Sequence, residues 1–342
     1  MKPLQSGLNS VVSNNLTVKL FLGRGAVLLA APRLPTEHVK TTPRLSRLTL
    51  QQQDARVGML LVAPALIIIL GIVLQPILST FYLSFFESQL GRNTVNVFLG
   101  LGNYVGLLKS SVFWKTIGRT LQFTLASVGI ELVLGIAIAQ LIASHPPGWQ
   151  VLRTSLIIPW AVPTIVTGMM WRWIFNSDYG ALNGLLYQLG IIKEYIPWLI
   201  YPMRAMILVI VADVWHTVPF VALIMQAALA TLPPELEEAA AVDGANALQR
   251  FWLIRMPLLR SAILVALVIR SVEAFRVFDI IYVMTGGGPA FGTVTISYLT
   301  YIETFNYGHI GVGSALSFLI SIFTFSLAFV YIKLLYRPEA IH

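Results

Sequence analysis

The sequence predicts an all-α membrane protein with six transmembrane helices. Hydrophobic residues make up 56% of the chain and charged residues only 11%, whereas a soluble domain carries about 25% charged residues. Mostly apolar runs recur that are long enough to cross a hydrocarbon core of roughly 30 Å as helices. These runs are continuous rather than alternating, which favours helices over a barrel as the way to satisfy backbone hydrogen bonds in lipid.

The predicted elements follow one another with short connections. The six spans cover residues 57–86, 116–143, 152–175, 204–230, 258–284 and 310–335. Pro159 and Pro163 predict a kink in the third span, because proline removes a helix hydrogen bond. Residues 1–56 are expected to form a disordered N-terminal tail, residues 57–337 the transmembrane domain and residues 338–342 a C-terminal tail.

The distribution of basic residues predicts the orientation. If the N terminus lies inside, the inside segments hold most of the 23 Lys and Arg residues. The positive-inside rule then places both termini and the loop 231–257 in the cytoplasm. The net charge of +8 is therefore interpreted as a topology and membrane-surface signal, and no nucleic-acid partner is expected.

Several kinds of chemistry have no support in this sequence. The chain has no cysteine, and its five histidines show no metal-ligand spacing, so we predict neither a disulfide nor a metal site. No phosphate-binding loop of the Walker type is present. We expect no catalytic residue and no cofactor in this chain.

The loop 231–257 combines charge with small residues between two apolar runs. Its glutamates Glu235, Glu237 and Glu238 come early in a short predicted helix, where acidic side chains suit the positive end of the helix dipole. Asp243 and Gly244 then break the helix, and a second short segment follows. The pattern predicts two short helices meeting at a glycine, either as a docking surface for a basic partner or as an amphipathic segment at the membrane interface.

The same loop carries a family resemblance. Glu238-Ala239-Ala240, then three residues and Gly244, then nine residues and Ile254-Arg255-Met256-Pro257 resemble the motif of permease subunits of binding-protein-dependent ABC importers, with Met in place of the usual Leu. The stretches "IIPWAVPTIVTGMMWRWIFNSDYGALN" (157–183), "ADVWHTVPF" (212–220) and "VFDIIYVMTGGGP" (277–289) are similar to the carbohydrate importers of the maltose type. The resemblance covers about residues 55–337 and implies a type I ABC importer permease fold with cytoplasmic coupling helices. It implies ATPase-coupling roles for Glu237, Glu238, Ala239, Ala240, Asp243, Gly244, Ile254 and Pro257.

Charged and aromatic residues within the spans are candidates for the translocation path. Arg270, Glu273, Arg276 and Asp279 recur every three residues in the predicted fifth span and are expected to form one helical stripe. The stripe either lines the path or is an ion-pair ladder that fixes helix packing. Trp171 and Trp215 are candidates for stacking on a sugar, although tryptophan is also enriched at membrane interfaces.

The resemblance implies the permease subunit of an ATP-driven importer in the bacterial inner membrane, a multi-pass protein surrounded by lipid. The solute is expected to be a sugar or a sugar-like compound, such as an oligosaccharide, a glucoside or a polyol conjugate. The implied partners are a second permease subunit, an ATPase dimer that binds ATP and Mg²⁺, and an extracytoplasmic solute-binding protein. An ion-driven secondary transporter is the main alternative, because of the charged stripe, and an intramembrane enzyme is a further one.

Overall fold

The computed structural model describes residues 50–91 and 96–335. These residues form helices and one small hairpin, so the predicted all-α class is confirmed. The helices are α1 (Leu50–Leu83), α2 (Gly102–Lys109), α3 (Ser111–Ala143), α4 (Trp149–Ala161), α5 (Thr164–Ile174), α6 (Ala181–Gln188), α7 (Pro202–Leu229), α8 (Pro234–Val242), α9 (Ala247–Arg250), α10 (Met256–Leu258), α11 (Arg260–Phe275), α12 (Asp279–Met284), α13 (Ile296–Tyr301) and α14 (Ile310–Leu335). Two π-helical turns span Phe251–Arg255 and Ile302–Asn306.

The chain divides into two compact units between Ala63 and Pro64. The described part of the first unit is the beginning of α1. All the sites discussed below belong to the second unit.

Within residues 50–91 and 96–335, four single helices are long and apolar enough to cross a membrane by themselves. They correspond to the first, second, fourth and sixth predicted spans and cover Val57–Leu83, Ser111–Ala143, Pro202–Leu229 and Ile310–Lys333. Two bent helix pairs pass the same test. The number of spans reaches the predicted six if each bent pair forms one span.

The third span is broken rather than merely kinked. Helices α4 and α5 meet at 96° across Val162 and Pro163. Proline disfavours the helical region for the residue before it, and Val162 is accordingly extended, with a ψ of 130°. The predicted proline effect is therefore present, and its result is a sharp change of direction.

The fifth span differs from the prediction at both ends. Its bent pair combines Ala247–Leu258 with Arg260–Phe275 at 66°, next to a π-helical turn and Pro257, both of which are known causes of kinks. Helix α11 ends at Phe275, and the Thr295 hydroxyl donates a hydrogen bond of 3.0 Å to the Val277 carbonyl beyond it. The expected continuous helix to Met284 is wrong, and α12 is a separate helix.

The first span ends three residues earlier than predicted, where the chain enters a hairpin. Strands β1 (Phe86–Glu87) and β2 (Val97–Phe98) pair antiparallel, with Phe86 opposite Phe98. The Asn103 side chain donates hydrogen bonds of 2.9 and 3.0 Å to the carbonyls of Ser84 and Phe86. These bonds fix the departure of the chain from α1.

The core is formed by α3 and α7, whose facing sides are buried, together with buried residues of α11, α12, α13 and α14. Gly135 of α3 allows the two helices to approach closely, because a Cβ atom there would lie only 2.6 Å from Val221 Cγ1 of α7. Small residues at helix contacts are typical of membrane proteins. In contrast, Met59, Leu60 and Leu61 of α1 are about three-quarters exposed, as expected for side chains that face lipid.

Candidate functional site

A cavity of about 350 Å³ lies among the charged residues within the spans. It is bounded by α4, α5, α7, α11, α12 and the connection 276–278. Its lining residues include Trp160, Thr164, Asp213, His216, Thr217, Phe220, Arg270, Glu273, Arg276, Phe278 and Asp279. All four residues of the predicted charged stripe therefore line one cavity.

The stripe does not lie on one helix, however. Arg270 and Glu273 belong to α11, Arg276 follows the end of that helix and Asp279 begins α12. The expectation of a single helical stripe is wrong because the helix ends at Phe275. The cavity receives the four side chains from two helices and the break between them.

Arg270 is the centre of a largely buried charged network in the cavity wall. Its guanidinium donates to both carboxylate oxygens of Glu131, at 2.7 and 3.0 Å, and to Glu273 at 2.6 Å. Glu131 is fully buried, whereas the Glu273 side chain is 56% exposed. Arg270 therefore joins α3 to α11 through an ion pair that is almost completely buried.

A second carboxyl, that of Asp213, adjoins this ion pair. The Ser127 hydroxyl lies 2.6 Å from Glu131 Oε1 and 2.5 Å from Asp213 Oδ2. A hydroxyl has one hydrogen, so the two short contacts together require a proton on one carboxyl. Arg270 binds Glu131 twice and reaches Asp213 only at 3.5 Å, so Asp213 is the better position for that proton.

His216 links the broken third span to α7. Its Nδ1 lies 2.9 Å from the Pro159 carbonyl, and a carbonyl only accepts, so Nδ1 carries the hydrogen. Pro163, four residues after Pro159, has no N–H to donate to that carbonyl. His216 thus replaces the helix hydrogen bond that proline removes.

Aromatic side chains form part of the cavity wall. Trp160 stacks on Phe220, with ring centroids 6.0 Å apart and an interplanar angle of 28°. Trp171 and Trp215 pack edge to face on each other at 5.8 Å, and neither lines this cavity. The structure thus brings a different tryptophan to the charged residues than the two selected from the sequence.

His216 and Phe220 were not among the site residues predicted from the sequence. Asp213, His216, Thr217 and Phe220 occupy positions i, i+3, i+4 and i+7 of α7. This spacing places them on one helix face and was the available signal.

The loop 231–257 folds into the two short helices that its sequence predicts. Helix α8 ends in a left-handed Gly244, with a φ of +83°, and the amides of Gly244 and Ala245 bond to the carbonyls of Ala241 and Ala240. This is the Schellman arrangement that favours glycine. Asn246 and Gln249 then form a capping box that starts α9.

The coupling residues predicted from the motif differ in exposure. Glu238, Ala239, Asp243, Gly244 and Pro257 are exposed, and Glu237, Ala240 and Ile254 are partly buried. Large apolar side chains are exposed beside them, with Val242 88% and Leu253 73% exposed. A loop with this surface in a water-facing position is typical of a docking site.

Comparison with known proteins identifies the family. Residues 131–338 match the model of the binding-protein-dependent transport system inner membrane component. The chain belongs to this family. It is a permease subunit of an ABC importer rather than an enzyme, and ATP hydrolysis is carried by a separate ATPase subunit.

The permease matches its relatives over nearly the whole length of their chains. It is 38% identical over 288 residues to the trehalose/maltose transport system permease protein MalF of Thermococcus litoralis, a match that covers 83% of this chain and 95% of the relative. It is 36% identical to the sulfoquinovosyl glycerol transport system permease protein SmoG of Agrobacterium fabrum, over 86% of this chain and 95% of the relative.

A solved structure has the same fold as this permease. It is a crystal structure of a bacterial ABC transporter involved in the import of the acidic polysaccharide alginate. The superposition has a TM-score of 0.70 at 20% identity and covers 82% of this chain and 96% of the solved one. The predicted type I importer permease fold is confirmed.

Proposed function

We propose that this permease moves a glycoside through the cavity between α4, α7 and α11. The observation that carries the proposal is the ligand chemistry named for its relatives, which are trehalose/maltose and sulfoquinovosyl glycerol permeases. These compounds share a sugar ring with hydroxyl groups and apolar C–H faces.

The cavity offers contacts that such a solute needs. The Trp160–Phe220 stack supplies an aromatic surface, while Glu273, Arg276 and Asp279 supply exposed hydrogen-bonding groups. Its volume of about 350 Å³ falls at the lower end of the ~300–1,000 Å³ typical of small-molecule sites. A sugar-sized solute therefore fits the space and its chemistry.

We propose that the ATPase dimer drives transport by binding to the exposed loop 231–257. We infer that the ATPase dimer docks on α8 and α9, that a second permease subunit completes the path and that an extracytoplasmic binding protein delivers the solute. The apolar side chains Val242, Leu248 and Leu253 of this loop are each more than two-thirds exposed, which fits burial against a protein partner.

The inferred orientation places this loop and both termini in the cytoplasm, following the positive-inside distribution. The chain has no cysteine, so a Leu248→Cys variant carries a single thiol. In inside-out vesicles a membrane-impermeant maleimide is expected to label it, whereas intact cells are expected to remain unlabelled. Labelling in intact cells would contradict the inferred topology and would place this loop outside the cell.

Reconstitution tests the proposed function. The permease with its partner permease, ATPase and binding protein is placed in proteoliposomes, and uptake of radiolabelled trehalose and maltose is measured. Uptake is expected to require internal ATP and external binding protein and to survive an ionophore. Uptake without the ATPase that collapses with the ionophore would favour the ion-driven transporter instead.

Trp160 provides a test of the path. Trp160→Ala removes one face of the stack in the cavity, and we expect KM for uptake to rise about fivefold, the factor for a stacking loss of ~1 kcal/mol. Trp171→Ala is the matched control, because Trp171 lies outside this cavity. An equal rise in KM for both variants would argue against the cavity as the solute path.

A further inference from the structure

Arg255 ties together three segments that are far apart in the sequence. Its Nε and Nη2 donate to the two carboxylate oxygens of Glu237, at 2.5 and 2.6 Å. Its Nη1 donates to the side-chain oxygen of Gln140. Glu237 lies on α8, Gln140 near the end of α3, and Arg255 at the end of the π-helical turn before α10. These three residues are called the clasp below.

The geometry of the clasp is that of a specific ion pair. Both donors on one side of the guanidinium meet both oxygens of the carboxylate, the paired arrangement that gives arginine–carboxylate contacts their directionality. The Arg255 and Glu237 side chains are 30% and 26% exposed, so water competes only partly. The hydrogen bonds from Arg255 hold the pKa of the Glu237 carboxyl below its ordinary value, which extends the charged form of the clasp to more acidic pH.

The neighbouring glutamate has a different environment. Glu238 is exposed, and the described residues provide no salt-bridge partner for it. Consecutive helix residues point about 100° apart, so Glu237 faces the spans while Glu238 faces outward. Glu238, which begins the motif, and Glu237 just before it therefore have different partners available: Glu237 inside the chain and Glu238 outside it.

Few other contacts fix α8 against the spans. None of its residues is buried, and a groove of about 420 Å³ lies beneath it, lined by Ala143, Leu229, Glu237, Arg250 and Arg255 among others. Its C-terminal end leads into Gly244, where no atom would lie within 4 Å of an added Cβ. A helix with open space below it needs a side-chain tie to transmit force.

The clasp connects this loop to both walls of the cavity. Gln140 belongs to α3, which packs along α7 and carries Glu131. Arg255 lies five residues before Arg260, where α11 begins, and α11 carries Arg270 and Glu273. A displacement of α8 therefore reaches both ends of the Glu131–Arg270 ion pair through Arg255.

We propose that Arg255 is a positioning residue that couples α8 to the spans, and that Glu237 serves this internal tie rather than the ATPase surface. The proposal rests on the proposed function, in which a partner ATPase moves the loop. Loss of the clasp leaves α8 able to bind the ATPase and to tilt into the groove without moving the cavity walls. ATP hydrolysis then continues while solute transport falls.

Charge exchange in the assembled importer tests this proposal. Glu237→Lys and Arg255→Glu are each expected to co-purify with the other subunits and to lower the solute moved per ATP hydrolysed by about tenfold, the factor for one lost charge-assisted hydrogen bond. The double variant Glu237→Lys/Arg255→Glu restores an ion pair and is expected to recover at least threefold of that loss. A merely structural role would lower assembly and ATPase activity together with uptake.

Glu238→Lys is the matched control, because it makes the same charge change one residue away. It is expected to lower ATPase activity or ATPase binding, and Arg255→Glu is expected not to rescue it. Normal transport per ATP in both Glu237→Lys and Arg255→Glu would overturn the inference, and so would failure of the double variant to recover coupling when it assembles normally.

A conservative variant keeps the test decisive if the charge reversals disturb assembly. Arg255→Lys retains the charge but not the paired geometry, and it is expected to give intermediate coupling with normal assembly. Wild-type coupling in Arg255→Lys would overturn the proposed role of the paired contact. If the wild-type complex itself shows no ATP-dependent uptake, the proposed function fails, and this outcome is distinct from any result on the clasp.

Discussion

Replacement of Arg270 by methionine is expected to destabilise the permease strongly. The variant removes two charge-assisted hydrogen bonds from Glu131, which is fully buried and keeps only the hydroxyls of Ser127 and Thr217. Glu273 also loses a bond, but its side chain is 56% exposed, so water replaces the arginine there. The cost therefore comes from the stranded Glu131 and is about 3–5 kcal/mol, as for other broken buried ion pairs.

The free energy of unfolding can be measured by titrating the purified permease in mixed micelles with a denaturing detergent. Arg276→Met is the matched control, because Arg276 lines the same cavity but is exposed, and we expect a change within about 0.5 kcal/mol. The double variant Glu131→Leu/Arg270→Met removes both buried charges and is expected to recover most of the loss.

A small effect of the single change would contradict a buried Glu131–Arg270 ion pair. If Arg270→Met unfolds within about 1 kcal/mol of the wild type, Glu131 is not held as a buried carboxylate. The same conclusion follows if Arg276→Met costs as much as Arg270→Met, since the loss then reflects cavity charge rather than the buried pair.

Three further predictions concern single groups. Gly244→Val places a β-branched residue at a φ of +83° and is expected to lower the free energy of unfolding by about 1–2 kcal/mol and to lower the solute moved per ATP. Gly244→Asn is expected to be tolerated. Equal coupling in both variants would contradict the role of the left-handed turn. Asp213→Asn is expected to change the free energy of unfolding by less than about 1 kcal/mol, because the amide can donate to Ser127 as a protonated carboxyl does. If Asp213→Asn loses as much unfolding free energy as Glu131→Gln, Asp213 does not carry the proton. The lowered pKa of Glu237 means that the clasp contributes stability above the ordinary carboxyl pKa of 4.5 and loses it as pH falls through the lower folded value. The stability difference between wild type and Glu237→Gln is therefore expected to stay constant from about pH 8 to 5 and to shrink only in stronger acid, and a decrease near pH 6 would be inconsistent with a lowered pKa.

The sequence alone was sufficient for the class of the protein and for most of its spans. Hydropathy is a sum over neighbouring residues, so long apolar helices such as α3, α7 and α14 can be predicted without tertiary information. The helices of the loop 231–257 could also be predicted, because their start signals and the glycine that ends α8 depend on residues only a few positions apart.

Where a span ends or breaks depended partly on distant residues. Pro159 and Pro163 predicted a kink in the third span. The angle of 96° between α4 and α5, however, is set by how both helices pack. The end of α11 at Phe275 carried no proline or glycine signal, and the Val277 carbonyl beyond it is satisfied by Thr295, 18 residues later. Apolar residues lie on both sides of Arg276 and Asp279, so a hydropathy average over a long window could not locate the break.

The site itself was decided by the tertiary structure. The sequence singled out Arg270 but could not pair it with Glu131, 139 residues away, because the partner of a buried charge depends on which helices meet. Likewise, the sequence does not distinguish Glu237 from Glu238. Only the placement of α8 beside Arg255 directs Glu237 toward the spans. The chain thus determined locally which residues are charged, apolar or flexible, while helix packing determined which of those charges face each other, a cavity or a partner.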